Sequence, residues 1–125
     1  MLICGSRGWR LHEPIYEVLK TLPPEAVLVH GGARGADSVA GALAHQMGIE
    51  VEVYKADWAR YGKRAGSVRN QQMLDEGKPG VVFAFYSGPE KSRGTLDMIG
   101  RAKKAGVQTN EFMKGVGWLG WSVDR

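Results

Sequence analysis

Short apolar runs alternate with amphipathic stripes along the chain. The runs predict strands at residues 1–5, 26–30, 49–54 and 80–85, and a short fifth strand at 107–110. Between them, apolar positions recur at the spacing of one helical face, from Ile15 to Leu22, from Val39 to Met47 and from Leu96 to Ala105. Residues 66–77 predict one more helix, whose early turns are polar.

Strands that alternate with helices predict an α/β fold. Short connections of this kind give a parallel sheet with helices on both faces. We therefore expect a three-layer sandwich with a mostly parallel sheet of about five strands. Residues 1–110 form the expected domain. Residues 111–125 are a C-terminal extension that the sequence leaves open as an edge hairpin, an arm onto a partner subunit or a tail.

Composition narrows the class of protein. One cysteine and three histidines leave neither a disulfide framework nor a zinc cluster, and no metal or cofactor is expected. No apolar run approaches the ~20 residues that span a bilayer, and no leader precedes the first strand, so the sequence predicts a soluble, cytoplasmic protein without membrane partners. A formal net charge of +4 favours anionic partners in general.

Glycine is the enriched residue type. It occupies 18 of 125 positions, about twice the ~7% that is usual. Many of these glycines follow predicted strands, in the segments 5–9, 30–37, 57–70 and 87–95. Because the carboxyl ends of parallel strands meet at one edge of a sheet, where ligands bind, the sequence predicts a site built from all four segments.

The residues in these segments suit a phosphate-bearing ligand. Glycine lets the backbone approach an oxyanion, and the helices that Gly35 and Gly94 precede offer free N–H groups. Arginine provides a planar fork for phosphate, and aromatic rings can stack on a base. The arginine candidates are Arg7, Arg34, Arg69 and Arg93, and the aromatic candidates are Trp9, Trp58 and Tyr61.

Structural interpretations of the same residues stay open. Glycines at strand–helix turns often only form the turn, and a tryptophan is more often part of the core. Asp37 supports either the first turn of its helix or a ligand. His30 and Cys4 are expected to be structural. Arg101, Lys103 and Lys104 are expected on a solvated helix face. A P-loop is excluded, because Gly62-Lys63-Arg64 lacks both the first glycine and the hydroxyl residue.

Four segments, in this order, resemble the SLOG superfamily. They are Gly5-Ser6-Arg7, then His30-Gly31-Gly32-Ala33-Arg34-Gly35-Ala36-Asp37, then the run from Gly62-Lys63 to Arg69-Asn70, and Gly94-Thr95. They look most like the branch of small proteins related to YspA and YpsA, which is distantly similar to the LOG phosphoribohydrolases and to DprA. The resemblance covers residues 1–110 and implies a Rossmann-like fold with a pocket for nucleotide-derived molecules.

The resemblance also implies roles for individual residues. Gly5, Ser6 and Arg7 would line the first loop, Arg69 and Asn70 would point into the pocket, and Thr95 would help to hold phosphate. The complete set of expected ligand-binding residues is Gly5, Ser6, Arg7, Trp9, Gly31, Gly32, Ala33, Arg34, Gly35, Asp37, Trp58, Tyr61, Lys63, Arg69, Asn70, Ser87, Arg93, Gly94 and Thr95.

One departure from the pattern concerns catalysis. The phosphoribohydrolase branch carries P-G-G-x-G-T-x-x-E, and Met98 stands at the position of its glutamate. Asp97 is one residue away, which is about 100° around a helix. We therefore expect ligand binding without cleavage, and no catalytic residue is assigned.

Three functions remain open at this stage. We favour a protein that senses or sequesters a nucleotide-derived small molecule, such as an ADP-ribose-like or cyclic nucleotide, which in a virus would neutralise an immune signal. The alternatives are a nucleotide N-glycosidase that uses Asp37, Asp57 or Asp97, and a DNA-binding module. The lack of a contiguous basic tract weighs against DNA. Because SLOG relatives often pair, we also expect a homodimer or higher homo-oligomer, with Trp118 and Trp121 at the contact.

Overall fold

The structure is a computed structural model, and it describes residues 1–88 and 92–119. The strands are β1 (Leu2–Gly5), β2 (Val27–His30), β3 (Glu50–Val53), β4 (Val81–Tyr86), β5 (Gln108–Met113) and β6 (Gly117–Leu119). The helices are α1 (Glu13–Leu19), α2 (Ala36–Gln46), α3 (Trp58–Tyr61), α4 (Ala65–Gly77) and α5 (Arg93–Lys104), with a 3-10 turn at Gly62–Arg64.

All six strands belong to one sheet, in the order β3-β2-β1-β4-β5-β6. The first five strands are parallel, and β6 pairs antiparallel with β5. Two apolar cores lie on opposite faces: α4 and α5 cover one face, and α1 and α2 cover the other. The predicted Rossmann-like, three-layer α/β architecture is therefore confirmed. Within the described residues, no helix is long and apolar enough to cross a membrane.

The strand β1 shows how the sequence builds both cores. Successive side chains of a strand point to opposite faces, so Leu2 and Cys4 join the core under α4 and α5, while Ile3 joins the other. In β4, Val82 and Phe85 are fully buried on opposite faces in the same way. A central strand of a parallel sheet is buried on both sides, which explains its continuous apolar run.

The loops after β1 and β4 meet at the point where the strand order reverses. β1 pairs in parallel with β2 on one side and with β4 on the other, so the chain winds outward from β1 in both directions. Such a point leaves a crevice at the carboxyl edge of the sheet. Ser6 closes its base: Ser6 N donates to the Phe85 carbonyl at 2.8 Å, and Ser6 Oγ accepts from Ser87 N at 3.0 Å.

Two segments extend what the sequence predicts. The segment after β3 contains α3 and the 3-10 turn, and the spacing of apolar residues predicts neither of them. The fifth strand continues to Met113 and turns into β6, so that residues 111–119 form an antiparallel edge hairpin. Trp118 packs there on Phe112, with ring centroids 5.1 Å apart. Residues 89–91 and 120–125, which include Trp121, lie outside the described residues.

Candidate ligand-binding site

Two cavities open at the carboxyl edge of the sheet. The first cavity has a volume of about 310 Å³ and lies at the crevice between β1 and β4, beside α4 and the N-terminus of α5. The described residues that line it are Cys4, Gly5, Arg7, Ala33, Asp37, Arg69, Asn70, Met73, Ser92, Arg93, Gly94 and Thr95.

The second cavity lies next to the first, between the loops after β2 and β3, and has a volume of about 330 Å³. The described residues that line it are Arg7, Gly31, Gly32, Ala33, Arg34, Lys55, Ala56, Trp58 and Arg69. Three residues, Arg7, Ala33 and Arg69, line both cavities. Together the two cavities unite residues from all four segments that follow the strands.

Two glycines let the loop after β1 pack against the start of α2. Gly35 has a φ of 81°, and a Cβ at this position would overlap the Ser6 carbonyl oxygen. Gly5 approaches the Phe85 carbonyl equally closely. Ala36 N then donates to the Ser6 carbonyl at 3.2 Å. The packing of the backbone therefore requires both glycines, independently of any ligand.

Asp37 holds the loop after β2 from within. Its Oδ2 accepts from Gly31 N at 2.9 Å and from Ala33 N at 3.3 Å. Burial raises the pKa of Asp37 to about 6, although these N–H groups and the Arg69 charge favour the ionised form. The buried carboxylate thus stabilises the backbone of the loop that precedes it.

Arg69 ties the loops after β2 and β3 together. Its Nη1 donates to the Gly31 carbonyl at 2.6 Å and to the Tyr54 carbonyl at 3.3 Å, and its Nε donates to Asn70 Oδ1 at 3.0 Å. Burial lowers the pKa of the guanidinium, which stays charged at neutral pH. Nη2 makes none of the hydrogen bonds found within residues 1–88 and 92–119, so Arg69 retains donors for a ligand.

Asn70 fastens α5 to α4. Its Nδ2 donates to the Gly94 carbonyl at 3.2 Å and to Asp97 Oδ2 at 3.0 Å, while its Oδ1 accepts from Arg69. The side chain is buried. Asn70 thus lines the first cavity as expected from the resemblance, but both amide hydrogens are donated to the protein itself.

The polar contacts continue beyond Asn70 along the α4–α5 interface. Arg101 Nε donates to Asp97 Oδ2 at 2.8 Å, and Arg101 Nη1 donates to Gln71 Oε1 at 3.0 Å. Lys103 and Lys104 are exposed, as expected for this face of α5, whereas the side chain of Arg101 is 35% exposed and braces one helix against the other. The sequence does carry the signal, since Asp97 and Arg101 are four positions apart on one helix.

A neutral hydroxyl caps the N-terminus of α5. Ser92 Oγ accepts from Thr95 N at 3.2 Å and lies 2.9 Å from Thr95 Oγ1. The N–H groups of Arg93 and Gly94 have no partner within the helix, because the first turn of a helix leaves them unpaired. Both residues line the first cavity. The partial positive charge of a helix N-terminus makes this end suitable for an anion.

Two titratable groups beside the cavities are neutral. His30 Nδ1 accepts from Gly32 N at 3.0 Å, and burial together with the Arg69 charge lowers the pKa of this imidazole. Burial raises the pKa of the Cys4 thiol. His30 therefore brings no positive charge to a phosphate at pH 7, and Cys4 is a floor residue of the first cavity rather than a nucleophile.

Some expected site residues lie outside the cavities. Trp9 is buried in the core against Phe85, with ring centroids 5.5 Å apart, so its ring offers no platform for a base. Tyr61 lines a groove on the outer side of α4, and Lys63 is exposed in the 3-10 turn. Ser6 and Ser87 join the loops after β1 and β4 to one another, and Gly35 lines a separate cavity with Arg7 and Arg34.

Other lining residues were not among the sequence candidates. These are Cys4, Met73 and Ser92 in the first cavity, and Lys55 and Ala56 in the second. The sequence carries a signal for Lys55, because it stands two residues after β3, as Arg7 stands two residues after β1. Met73 had none, because a core methionine and a cavity methionine look alike in a helical stripe.

Two of the three carboxylates that could support hydrolysis are engaged outside the two cavities. Asp97 belongs to the α4–α5 contacts, and Asp57 Oδ1 caps α3 by accepting from Arg60 N at 3.1 Å. Met98 is fully buried in the core under α4 and α5. Among the described residues that line the two cavities, Asp37 is the one carboxylate.

A larger concavity, the α4 groove, lies on the outer face of α4 and has a volume of about 930 Å³. Its walls carry both signs of charge, with Arg60 and Arg64 on the same surface as Asp75 and Glu76. Such a surface favours neither anions nor cations. It extends from the segment after β3, where Lys55 also lines the second cavity, along the outer face of α4. The first and second cavities, where Asp37 is the one carboxylate among the described lining residues, are therefore the candidate site.

Known proteins match this chain in sequence. The model of the YspA, cpYpsA-related SLOG family matches residues 1–61, which hold β1, β2 and β3 with the loops that follow them. The chain is also 39% identical over 121 residues to the Gene 61 protein of Mycobacterium phage D29, an alignment that covers 90% of this chain and 94% of that protein. This chain belongs to the YspA- and cpYpsA-related SLOG family.

Proposed function

We propose that this protein binds a nucleotide-derived small molecule through phosphate. The observation that carries the proposal is the convergence in the first cavity of the open N-terminus of α5 with Arg7 and Arg69. Charged donors and a helix N-terminus are the groups that hold phosphate in proteins. The cavity also lies at the strand-order reversal, where α/β sheets bind their ligands. Membership of the SLOG family is compatible with a nucleotide-related function.

The same site supports holding the ligand without cleaving it. Hydrolysis of an N-glycosidic bond needs a group that transfers a proton or stabilises developing positive charge, and Asp37 already accepts two hydrogen bonds from its own loop. The protein therefore senses or sequesters its ligand, for example an ADP-ribose-like or cyclic nucleotide. We favour sequestration of a signal, because a phage encodes the relative described above.

A thermal-shift experiment tests the binding. AMP, GMP, CMP, UMP, ADP-ribose and NAD are compared with the free nucleosides, because a ligand that binds only the folded state raises the melting temperature. At least one phosphate-bearing compound should raise it, and its nucleoside should do much less. Arg7→Gln should abolish the shift, whereas Arg10→Gln, the same change three residues away and outside both cavities, should preserve it. Equal shifts by nucleosides and nucleotides would refute a phosphate site.

Chromatography of the same mixtures tests the absence of cleavage. After prolonged incubation and denaturation of the protein, the bound nucleotide should be recovered intact, with no free base. Release of base over many turnovers, lost in Asp37→Asn, would instead establish the N-glycosidase alternative.

A further inference from the structure

We infer that the ligand has two nucleoside-sized units joined through phosphate and occupies both cavities at once. This inference rests on the proposed function and specifies its ligand class. The first observation is size: at about 310 and 330 Å³, each cavity alone is at the lower limit for ligand pockets. One nucleotide unit fills either of them, and the two cavities together accommodate a ligand of two units.

The second observation is the wall between the cavities. Arg7, Ala33 and Arg69 line both sides of it, so an anion there contacts two guanidinium groups. Arg69 keeps Nη2 for this purpose, while its other nitrogens hold the loops. Arg7 donates no hydrogen bond to any residue that the structure describes. A phosphodiester or pyrophosphate linkage placed at this wall leaves one unit on each side.

The third observation is the chemistry of the second cavity. Arg34 and Lys55 add positive charge to that of the shared arginines, and no carboxylate occurs among its described lining residues. The Trp58 ring is held against the backbone of Gly66, where a Cβ would lie 3.7 Å from Cη2. Yet Trp58 is 54% exposed, the larger exposed fraction of the two exposed tryptophans that the structure describes. An indole presented beside cationic side chains is the arrangement on which bases stack.

The α4 groove does not compete for the second unit. Asp57, Asp75 and Glu76 lie on its walls beside cationic side chains, so the groove favours a phosphate-linked ligand less than the second cavity, whose described lining holds cations and no carboxylate. Tyr61 of α3 faces this groove, whereas Trp58 of the same helix lines the second cavity. Although Lys55 lines both surfaces, the short helix α3 carries one aromatic residue to each of them and so provides a matched pair for the test.

The test compares one-unit and two-unit ligands by calorimetric titration. AMP and GMP are measured beside ADP-ribose, diadenosine diphosphate and diguanosine diphosphate, with wild-type protein and with Trp58→Ala and Tyr61→Ala. We expect a two-unit ligand to bind at least about tenfold more tightly than its mononucleotide, because stacking on an aromatic ring adds to phosphate binding. Trp58→Ala should remove most of this advantage, and Tyr61→Ala should retain it. If Trp58→Ala does not fold, Arg34→Gln serves as the second-cavity variant.

The outcomes separate this inference from the proposed function. Equal affinities for one-unit and two-unit ligands, or equal effects of Trp58→Ala and Tyr61→Ala, would overturn the two-cavity ligand while leaving nucleotide binding in place. Failure of every phosphate-bearing compound to bind would overturn the proposed function, and this inference with it.

Discussion

The N-termini of α2 and α5 both follow a glycine-containing segment at the same edge of the sheet, yet they differ in what they leave available. At α2, the carboxylate of Asp37 accepts from the preceding loop, and Ala36 N donates to the Ser6 carbonyl. At α5, the cap is the Ser92 hydroxyl, and the first N–H groups lie beside the first cavity. A glycine near the start of a helix therefore marks one of two cases. At α2 the protein itself satisfies the nearby backbone donors, and at α5 the first N–H groups are open to an anion.

The difference has a simple chemical origin. An acidic residue in the first turn occupies the backbone donors near it and brings a negative charge that repels phosphate. A serine cap satisfies one donor and remains neutral. The first-turn residues, Asp37 in α2 and Thr95 in α5, thus distinguish the two ends more clearly than the glycines do.

The largest expected effect on stability concerns Gly35, the glycine at the N-terminus of α2. Gly35→Ala should lower the free energy of unfolding by about 3 kcal/mol or more, because a left-handed conformation strains the residue and its Cβ would overlap the Ser6 carbonyl. Gly48→Ala is the matched control: its φ of 75° is similar, but nothing lies within 4 Å of its Cβ position. Chemical denaturation measures both variants. Equal losses would show that the close approach at α2 is not what requires glycine.

A stabilising change is expected at Asp37. Its pKa of about 6 in the folded protein lies above the ordinary value of 3.8, so folding favours the protonated form. The resulting stability is fully present below about pH 4 and is lost as pH rises through about 6. Asp37→Asn keeps an acceptor for the loop without the charge, so it should raise the free energy of unfolding at pH 7.5 by up to about 3 kcal/mol.

The control for Asp37→Asn is the pH profile itself. The difference from wild type should vanish as pH falls towards 4, and nucleotide affinity should be kept or increased, because the substitution removes a negative charge from the lining of the first cavity. A stable Asp37→Asn protein that no longer binds nucleotide would show that the α2 end belongs to the site, and the contrast between the two ends would fail.

The sequence predicts the secondary structure elements, because these depend on residues that are close together in the chain. The run of β4 is continuous because both faces are buried, and Met98, Ile99 and Ala102 of α5 face the core at helical spacing. α3 is missed because its four residues carry no apolar stripe, and only the Asp57 cap marks its start. Local patterns therefore suffice for the order of elements and for the edge at which the loops gather.

The sequence does not predict which polar atoms of the site bond to the protein itself and which remain available for a ligand. Arg69 bonds to Gly31, which lies 38 residues earlier, and the choice of which nitrogen donates there depends on the folded loops. Trp9 and Trp58 are equal candidates in the sequence, but one packs in the core and the other lines the second cavity. Long-range packing decides which side chains remain available for a ligand.

Replacing Arg69 is expected to lower both the affinity for nucleotide and the stability of the fold. Arg69→Gln should weaken binding of the best nucleotide in the panel by roughly tenfold or more, since a charged hydrogen bond contributes about 1.5–3 kcal/mol. It should also lower the melting temperature, because Gly31 and Tyr54 lose their shared donor. The matched control is Lys104→Gln, an exposed change of the same charge. Arg101 is unsuitable as a control because it braces α5. Equal weakening by Lys104→Gln would attribute the affinity to overall charge.

The smallest effect, and the one most selective for ligand binding, is expected at Gly94 in the first turn of α5. No described residue lies within 4 Å of its Cβ position, so Gly94→Ala should leave the fold unchanged or stabilise it by up to about 1 kcal/mol through higher helix propensity. A phosphate drawn against the first N–H groups of α5 would meet the new methyl group, and affinity should fall about fivefold, or about 1 kcal/mol. Gly100→Ala makes the same change farther along α5, where the Cβ position is equally open, and should gain stability without losing affinity. Calorimetric titration of both variants with the best nucleotide of the panel decides the matter. If Gly94→Ala binds the nucleotide as tightly as Gly100→Ala, no ligand lies against Gly94. The N-termini of α2 and α5 would then both serve only contacts within the protein.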